Sequence, residues 1–356
     1  MATNEGLVSS PATVAYFGGS AAANARAVVT VLLLAAAWLV TTSVVSSRST
    51  EVGTDTHIYA WVFLAMRNGL IDTRFEPGFV ALTRVSSMTG MSVVGYQATL
   101  FSVLLAGAAV AARKYFSYLG SHREFLTFLC AVMVFLFLSP MFVNASINAV
   151  RQGLAAPLVF AALLAFHRRR WRSFVVLGAL ASSLHYSSLI YLGFAPVLLL
   201  KLRTQRIVAA VGFLAYCTGL SMLVVRTVAP AVYSAVMSYS SGAVYRAGVR
   251  LDFAAFSLFW YLLPFLAGRL VREPFDERIK QSAAVYMTMV LPFLAVGWGN
   301  YSNRYLLVPW VAASFIVAAM ACHSRLPALR HPLLIRLALI PASGVFCYYV
   351  LHLVLI

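Results

Sequence analysis

Residues 27–46, AVVTVLLLAAAWLVTTSVVS, form an uninterrupted run of 20 residues without a charge, between Arg26 and Arg48. A transmembrane helix needs about 20 mostly apolar residues. Apart from Arg26, the residues before this run carry one charge, Glu5, whereas a cleaved signal peptide begins with a basic segment. The run therefore predicts a first transmembrane helix, and residues 1–25 are expected to form a flexible tail.

Similar apolar runs recur along the chain and indicate its fold class. They lie near residues 92–112, 125–144, 150–166, 173–184, 187–200, 207–226, 253–269, 282–299, 305–322 and 335–356. Of the 356 residues, 62% are hydrophobic and 10% are charged, against about 45–50% and about 25% in soluble domains. The sequence predicts an all-α polytopic membrane protein with about 10–11 transmembrane helices, in a single integral membrane domain of residues 1–356. Residues 47–91 and 227–252 are expected to form the two larger extracytoplasmic loops.

The basic residues predict the orientation. A net charge of +17 would suggest nucleic-acid binding in a soluble protein. Here most basic residues lie in five clusters in alternate loops, which is typical of cytoplasmic loops: Arg113/Lys114/Arg123, Arg168/Arg169/Arg170/Arg172, Lys201/Arg203/Arg206, Arg269/Arg272/Arg278/Lys280 and Arg325/Arg330/Arg336. Arg26 lies on the same side. The other nine are all arginines on the opposite side: Arg48, Arg67, Arg74, Arg84, Arg151, Arg226, Arg246, Arg250 and Arg304. This pattern predicts a cytoplasmic amino terminus, an outer carboxyl terminus and no nucleic-acid partner.

One apolar segment, residues 173–200, joins two cytoplasmic clusters and so must cross an even number of times or not at all. Two halves that meet near His185-Tyr186-Ser187-Ser188 would each be about 18–21 Å long, less than the ~30 Å hydrocarbon core. We therefore expect a broken or re-entrant helix pair. Because irregular backbone at that depth must be covered by protein or line a water-filled cavity, its tip is expected to line a cavity.

The first outer loop contains two candidate catalytic acids. In Gly53-Thr54-Asp55-Thr56-His57-Ile58-Tyr59, Asp55 and Tyr59 share a helix face. Its apolar stripe of Ile58, Val62, Phe63 and Met66 predicts an amphipathic helix on the membrane surface. In Phe75-Glu76-Pro77-Gly78-Phe79, the proline excludes helix at Glu76 and allows one to start at Gly78. Each acid could take part in chemistry or merely cap a helix.

The candidate anion-binding residues are cations at outer helix ends. Arg151, in Asn148-Ala149-Val150-Arg151-Gln152-Gly153, opens the fourth span, where helix amides favour anions and a guanidinium can bind phosphate through two nitrogens. Arg304, in Asn300-Tyr301-Ser302-Asn303-Arg304-Tyr305, opens a later span. Either arginine could instead snorkel to the interface.

His185 and the second outer loop supply the remaining candidates. His185 lies at the predicted helix break, although a histidine in an apolar run is commonly a core residue. Arg246 and Arg250 lie near Tyr239 and Tyr245 in a polar loop that is either solvated or able to close over a substrate. All of these groups fall on or face the extracytoplasmic side, where ATP and nucleotide sugars are absent and a lipid-linked pyrophosphate donor is suited.

At these residues the chain resembles the EpsG family of Wzy-type polysaccharide polymerases. The resemblance covers residues 48–310 and follows this order: Val52-Gly53-Thr54-Asp55 with Tyr59, Glu76-Pro77-Gly78-Phe79, Arg151-Gln152-Gly153-Leu154-Ala155, His185-Tyr186-Ser187-Ser188-Leu189-Ile190, and Arg304-Tyr305.

The resemblance implies a GT-C-like, metal-independent, inverting glycosyltransferase with no cofactor. Such proteins join repeat units carried on undecaprenyl pyrophosphate at the outer face of the bacterial inner membrane, and transfer the growing chain to the non-reducing end of a new unit. Donor and acceptor are both lipid-linked oligosaccharides in the bilayer, and a chain-length regulator and a flippase are candidate partners.

Residue roles follow from this reaction. Arg151 and Arg304, with Arg246 or Arg250, would stabilise the leaving pyrophosphate. Asp55 or Glu76 would be the general base, and His185 would orient the pyrophosphate or share that role. Tyr59, Gln152 and Tyr305, which stand beside these groups, are further substrate-binding candidates.

Three other functions use similar features. An O-antigen ligase-like enzyme would attach finished polymer to a different acceptor. A flippase or exporter of lipid-linked sugar would be expected to show inverted repeats and midplane charges, which we do not find in the sequence. A membrane acyltransferase with His185 as base would need a thioester donor on the cytoplasmic side. The ordered motifs favour the polymerase.

Overall fold

The computed structural model describes residues 11–53, 55–69, 73–122, 124–238 and 247–352. Within these ranges the chain is almost entirely helical, and the only β pairing is an isolated bridge between Val271 and Ser324. The predicted all-α class is confirmed.

Helices of the amino-terminal half begin at the first span and end at the predicted break region. They are α1 (Pro11–Ser47), α2 (Thr56–Arg67), α3 (Pro77–Met88), α4 (Val93–Leu119), α5 (Phe125–Phe137), α6 (Pro140–Ile147), α7 (Val150–His167), α8 (Trp171–Leu184) and α9 (Ser188–Gly193), which is followed by a 3₁₀ turn, Ala195–Leu199.

The carboxyl-terminal half contains three of the six described helices that are long and apolar enough to cross a membrane. Its elements are α10 (Leu202–Cys217), α11 (Leu220–Val228), α12 (Pro230–Ser238), α13 (Leu251–Leu266), a 3₁₀ turn at Gly268–Leu270, α14 (Phe275–Val296), α15 (Arg304–Cys322), α16 (Pro327–Arg330) and α17 (Pro332–His352).

The number of membrane-spanning helices differs from the expected 10–11. Among the described residues, six helices are long and apolar enough to cross: Asn24–Ser47 of α1, α4, α7, α14, α15 and α17. Two bent pairs, α5 with α6 and α10 with α11, bring the number up to 8 if each is one span. The three shorter apolar helices, Trp171–Leu184, Ser188–Leu199 and Leu251–Leu266, complete the set of apolar segments found in the sequence. The segments were predicted correctly, but their lengths support fewer complete crossings.

The bends in α5–α6 and α10–α11 have local causes. The first pair bends by 82° because Pro140 occupies the first turn of α6 and Ser139 before it is extended, as the residue preceding a proline usually is. The second bends by 88° at Gly219, whose φ of 76° suits glycine. Residues 125–144 and 207–226 are therefore not the straight runs that their hydropathy suggested.

The predicted break between α8 and α9 is confirmed. His185 ends α8 in an extended conformation with φ −158° and ψ 120°, and α9 starts again at Ser188. At the amino terminus, α1 begins at Pro11, inside the stretch expected to be a flexible tail. Residues 1–10 of that expected tail lie outside the described residues.

Two short helices lie in the first polar stretch. As predicted, α2 is amphipathic, and Tyr59, Val62 and Phe63 form part of its buried face. Phe63 stacks on Tyr96 of α4 with ring centroids 4.5 Å apart. Ile58, expected on the apolar face, is exposed, so the packed face is rotated slightly from the predicted stripe.

The centre of the molecule is formed by α7, α14 and α15. In these three helices 78–89% of the span residues are buried within the protein, compared with 17% for α1 and 39% for α4 and α17. Because α7 is enclosed by its neighbours, side chains at its first turn are held from several directions. This is the turn that carries Arg151 and Gln152.

Contacts between loops bring four of the five predicted cytoplasmic clusters together. Arg168 and Arg278 both donate to backbone carbonyls of residues 118–119, and Arg336 donates to Glu124 at 2.5 Å. Arg123 of the first cluster lies outside the described residues. Loops on one side of a membrane must lie at one end of the bundle, and the contacts between these loops agree with that. Which end faces the cytoplasm stays a prediction.

Candidate functional site

The carboxylate of Glu76 connects three separate parts of the chain. Its Oε2 accepts a hydrogen bond from Nη1 of Arg151 at 2.6 Å, and its Oε1 lies 2.8 Å from Nδ1 of His185. The same Oε1 accepts from the backbone N–H of Tyr186 at 3.2 Å. Since the Glu76 side chain is only 4% exposed, it is a buried carboxylate with both oxygens engaged.

The sequence Glu76-Pro77-Gly78 has a clear structural reason. Pro77 occupies the first turn of α3, and Glu76 precedes it with extended backbone and makes no capping hydrogen bond to α3. A Cβ on Gly78 would come within 2.8 Å of the backbone oxygen of Ser183. Glycine therefore lets α3 contact α8 just before His185, and the Glu76 carboxylate is directed towards neighbours rather than its own helix.

The environment of Glu76 keeps it ionised. Burial of the carboxyl opposes ionisation, but hydrogen bonds from His185 and the backbone, together with the charge and hydrogen bond of Arg151, outweigh burial and lower the pKa of Glu76 to about 2. A carboxylate with so low a pKa is a weak proton acceptor near neutral pH. Glu76 is thus better suited to positioning Arg151 and His185 than to accepting a proton.

Arg151 is held by aromatic rings as well as by Glu76. Its Cζ lies 4.4 Å from the ring centroid of Phe75 and 5.8 Å from that of Tyr59. Such cation–π contacts suit the planar guanidinium better than an ammonium group. The side chain is 21% exposed and has an acidic partner inside the protein, which differs from an arginine that merely snorkels to the interface.

A second ion pair lies beside the first. Nη2 of Arg304 is 3.7 Å from Oδ2 of Asp55, and the hydroxyl of Tyr59 donates to the same Oδ2 at 3.5 Å. Burial, with a further contribution from Asp55, raises the pKa of Tyr59 to about 12, so Tyr59 stays a donor. Asp55 and Arg304 are 23% and 33% exposed, and their longer contact is more accessible than that of Glu76 with Arg151.

Gln152 fixes the start of α15 to the start of α7. Its Nε2 donates to the backbone oxygen of Arg304 at 2.6 Å and to the hydroxyl of Tyr191 at 3.4 Å. The Tyr191 hydroxyl in turn donates to the backbone oxygen of Tyr305 at 3.1 Å. Gly153 lies against α6, since a Cβ there would come 2.5 Å from the backbone oxygen of Ala145. Gln152 is therefore joined directly to the backbone of Arg304, and to that of Tyr305 through the Tyr191 hydroxyl.

Sequence reasoning missed two residues of this site, Tyr191 and Arg48. The charge pattern predicts only that Arg48 is an outer arginine, whereas in the structure its Nη2 donates to the backbone oxygen of Ile147 at 3.2 Å and to Oγ1 of Thr56 at 3.3 Å. Oγ1 of Thr56 also donates to the Ile147 oxygen, at 2.6 Å. These bonds fasten the start of α2, next to Asp55, to the end of α6. The available signal was the position of Arg48 directly after the first span.

Arg250, another predicted site residue, has side-chain contacts outside this cluster. Arg250 pairs with Asp252 through two hydrogen bonds, of 3.0 and 2.6 Å, and its Cζ lies 3.9 Å from the ring centroid of Phe253. Arg246 lies outside the described residues, as do Tyr239 and Tyr245. The closing of that loop over a substrate stays a prediction.

The arrangement combines two guanidinium groups, two carboxylates and an imidazole within one chain of contacts, which runs from His185 through Glu76, Arg151, Tyr59 and Asp55 to Arg304. Paired cations can bind an anionic group, and the carboxylates and imidazole can hold or accept a proton. In the part of the chain that the structure describes, no three His, Cys, Asp or Glu side chains are grouped so as to hold a metal ion.

Comparison with known proteins adds one finding. A family model described as the EpsG family matches residues 31–355, and this match includes the final span, which lies beyond the last of the sequence motifs. Among curated proteins and among solved structures, no match to this chain was found.

Proposed function

The chain belongs to the EpsG family of Wzy-like polysaccharide polymerases, and we propose that it joins undecaprenyl-pyrophosphate-linked oligosaccharide repeat units at the outer face of a bacterial inner membrane. In this proposal the growing chain moves from its lipid carrier to the non-reducing end of a new lipid-linked unit. The reaction is a metal-independent, inverting glycosyl transfer of GT-C type.

The observation that carries the proposal is the joining of five sequence motifs in one cluster. Asp55 and Glu76 come from the first polar stretch, Arg151 and Arg304 from the first turns of α7 and α15, and His185 from a helix break. Contacts that include Tyr59 nevertheless link them in one series. Charged groups near membrane depth are costly and are retained mainly for function. A reaction that handles a pyrophosphate and a sugar hydroxyl uses this combination of cations and proton acceptors.

The cations supply charge stabilisation. As the glycosidic bond breaks, the leaving lipid pyrophosphate gains negative charge, and preformed donors aimed at that charge lower the barrier. A guanidinium has five N–H donors, and the bond to Glu76 occupies Nη1 of Arg151. Arg151 therefore keeps donors for a phosphate while Glu76 and the Phe75 ring fix its position. Arg304 is proposed to turn from Asp55 towards the pyrophosphate.

The acceptor hydroxyl must lose a proton as it attacks. We assign Asp55 as the general base, because both oxygens of Glu76 are engaged and the pKa of Glu76 is about 2. The acceptor hydroxyl gives its proton to Asp55, and the hydroxyl oxygen bonds to the anomeric carbon of the donor. The bond between that carbon and the pyrophosphate oxygen breaks. Attack from the side opposite the leaving group inverts that carbon. His185 is the second candidate, since its Nε2 can accept a proton when Nδ1 donates to Glu76.

The outer location is supported by the separation of charges within the fold. The candidate cluster is assembled from the loops opposite those that gather the basic clusters. Cytoplasmic loops carry an excess of lysine and arginine, so the cluster is proposed to face the periplasm. There the only activated sugars are those that a lipid carrier has brought across.

The test is a polymerisation assay with purified protein and lipid-linked repeat units, without nucleotide sugar and with a metal chelator. We expect products spaced by one repeat unit. The Asp55→Asn variant should lose about 10²–10⁴-fold in rate while still binding the repeat unit. The matched control is Glu51→Gln, an exposed acid of the same loop, which should leave the ladder intact. Absence of a ladder in a wild-type preparation that binds the repeat unit would instead favour ligation onto another acceptor, or transport.

A further inference from the structure

An apolar groove of about 420 Å³ lies between the α5–α6 bend, α13 and α15. Its volume is within the range of about 300–1,000 Å³ found for small-molecule pockets. The larger apolar residues of its wall include Pro140, Phe253, Phe256, Trp260 and Trp310. The 82° bend before Pro140 makes room for the groove, because α6 turns away from the line of α5.

The aromatic wall of the groove is held in place. Nε1 of Trp310 donates to Oγ of the buried Ser257 at 3.0 Å. The rings of Phe253 and Phe256 pack edge-on against Trp310, with centroids 5.5 and 4.9 Å away. Such aromatic pairs add geometric preference to apolar burial. The groove is therefore preformed and does not depend on an occupant to open it.

The groove has a charged mouth. Asp252 lines one end, and it is the bidentate partner of Arg250, with Nε–Oδ1 at 3.0 Å and Nη2–Oδ2 at 2.6 Å. A fork that binds a carboxylate in this way has the geometry to bind phosphate. Asp252 is 58% exposed, and exposed ion pairs contribute little stability, so an anionic ligand can replace it.

Hydrogen bonds through Tyr216 connect this mouth to the segment that leads to Arg304 of the candidate cluster. The N–H of Arg250 donates to the hydroxyl of Tyr216 at 3.0 Å, and that hydroxyl donates to the backbone oxygen of Gly297 at 3.1 Å. Gly297 follows α14, and the loop from there leads directly to Arg304. Along α15, Trp310 is six residues after Arg304, about 9 Å at the helical rise of ~1.5 Å per residue.

We propose that this groove binds the isoprene units next to the pyrophosphate of a polyprenyl-pyrophosphate substrate, with Arg250 exchanging Asp252 for a phosphate oxygen. The inference rests on the proposed function, because it assumes a lipid-linked substrate. The occupant follows from chemistry. The aromatic wall of the groove suits a branched, unsaturated chain, and the guanidinium at its mouth suits an anionic head. The same lipid then reaches Arg304 with its pyrophosphate.

Photo-crosslinking tests the groove without requiring catalysis. Phe256→p-benzoylphenylalanine places a photoreactive group in the groove, and Phe259→p-benzoylphenylalanine is the control. Both phenylalanines lie on α13 with similar exposure, 45% and 48%, but Phe259 does not line the groove. In phosphatidylglycerol vesicles containing undecaprenyl pyrophosphate, we expect prenyl adducts at position 256 in excess over position 259 by about tenfold, equivalent to ~1.4 kcal/mol of preference. Phospholipid adducts at 256 in proportion to lipid abundance would overturn the proposal.

A second experiment fills the groove. Ala313 lines it, whereas Ala255 on α13 is exposed and outside it. Ala313→Phe should raise the KM for the lipid-linked repeat unit about tenfold or more with kcat little changed, because it removes uniform binding. Ala255→Phe should change neither.

The two experiments separate the groove from the proposed function. A polymer ladder with an unchanged KM in a folded Ala313→Phe variant, together with no prenyl adduct at position 256, would refute the groove and leave the polymerase. If prenyl adducts form at position 256 but the wild-type protein makes no polymer ladder, the groove is supported and the polymerase function is not. If Ala313→Phe does not fold, the crosslinking result alone decides.

Discussion

Nη1 of Arg151 lies 2.6 Å from Oε2 of Glu76, although 75 residues separate them in the chain. This ion pair connects the loop before α3 with the first turn of the buried helix α7. The opposite oxygen of Glu76 bonds to His185, 109 residues away. Glu76 thus acts as the centre of a charge network whose members are brought together only by the folded arrangement of the helices, and the first predictions concern that network.

Replacing Arg151 by lysine tests whether its guanidinium is required. Lysine keeps the charge but loses the planar donors and the contact with the Phe75 ring. We expect polymer synthesis by Arg151→Lys to fall by about 10²–10³-fold, as for the removal of one donor from a charge-stabilising site. The same change at the exposed Arg84 should leave chain lengths as in the wild type. Near-normal chain lengths in Arg151→Lys would refute the assignment.

Glu76→Gln should destabilise the fold in a pH-dependent manner. The pKa of Glu76 is lowered from 4.5 to about 2 in the folded protein. Its ionised form therefore stabilises the fold above pH 4.5, and this contribution is lost as the pH falls from about 4.5 towards 2. At neutral pH the variant should lose up to about 3–5 kcal/mol, because Arg151 and His185 lose their acidic partner.

The measurement for Glu76 is the unfolding free energy of detergent-solubilised protein across a pH series. The difference between wild type and Glu76→Gln should be largest at neutral pH and should narrow below about pH 4.5. Glu51→Gln serves as the exposed control and should match the wild type throughout. A difference independent of pH down to about pH 2 would show that the stabilisation does not come from the ionised carboxylate.

Gly78→Ala should separate α3 from α8. The added Cβ would lie 2.8 Å from the backbone oxygen of Ser183, a contact that must be relieved by moving one helix. Because Glu76 and His185 lie at this junction, we expect a loss of about 1–3 kcal/mol of stability, typical of overpacking, and a clear fall in activity. Gly344→Ala is the control, since a Cβ there meets nothing within 4 Å. Equal behaviour of the two variants would contradict the close-contact explanation.

Arg48→Lys should loosen the helix that carries Asp55. The guanidinium reaches the Val45 carbonyl with Nη1 and both Thr56 and the Ile147 carbonyl with Nη2, whereas the one nitrogen of an ammonium cannot occupy both positions. We expect kcat to fall about tenfold with KM little changed, because Asp55 is displaced while the arginines proposed to bind pyrophosphate stay in place. Arg48→Gln has a planar amide but no charge. If the planar donor geometry is what matters, its kcat should be higher than that of Arg48→Lys. A change confined to KM would instead indicate direct substrate binding by Arg48.

Much of the fold could be predicted because hydropathy is a local property. The apolar segments and the membrane class follow from composition over short windows, and the break at His185 follows from the basic clusters at both ends of one apolar segment. The bends at Ser139–Pro140 and at Gly219 were missed, although both residue types are visible in the sequence. Long apolar runs tolerate prolines and glycines in membrane helices, so neither residue on its own predicts a bend of more than 80°.

The candidate residues were predicted as separate motifs, and their relations were not. Residue type and position at helix ends marked Asp55, Glu76, Arg151, His185 and Arg304, because isolated charges near membrane depth are costly. Tyr191 gave no such signal, since a tyrosine in an apolar segment is ordinary. The choice between Asp55 and Glu76 as base could not be made from the sequence, because both acids stand at helix starts in one loop.

The sequence by itself determined which segments are apolar helices, where the chain must break, and which charged groups are candidates for function. Each of these depends on neighbours along the chain. Only the tertiary structure decided that Glu76 is enclosed by Arg151 and His185, whereas Asp55 meets Arg304 at a more exposed position. The physical reason is that a carboxyl's pKa, and hence its role, depends on burial and on charges supplied by helices distant in sequence.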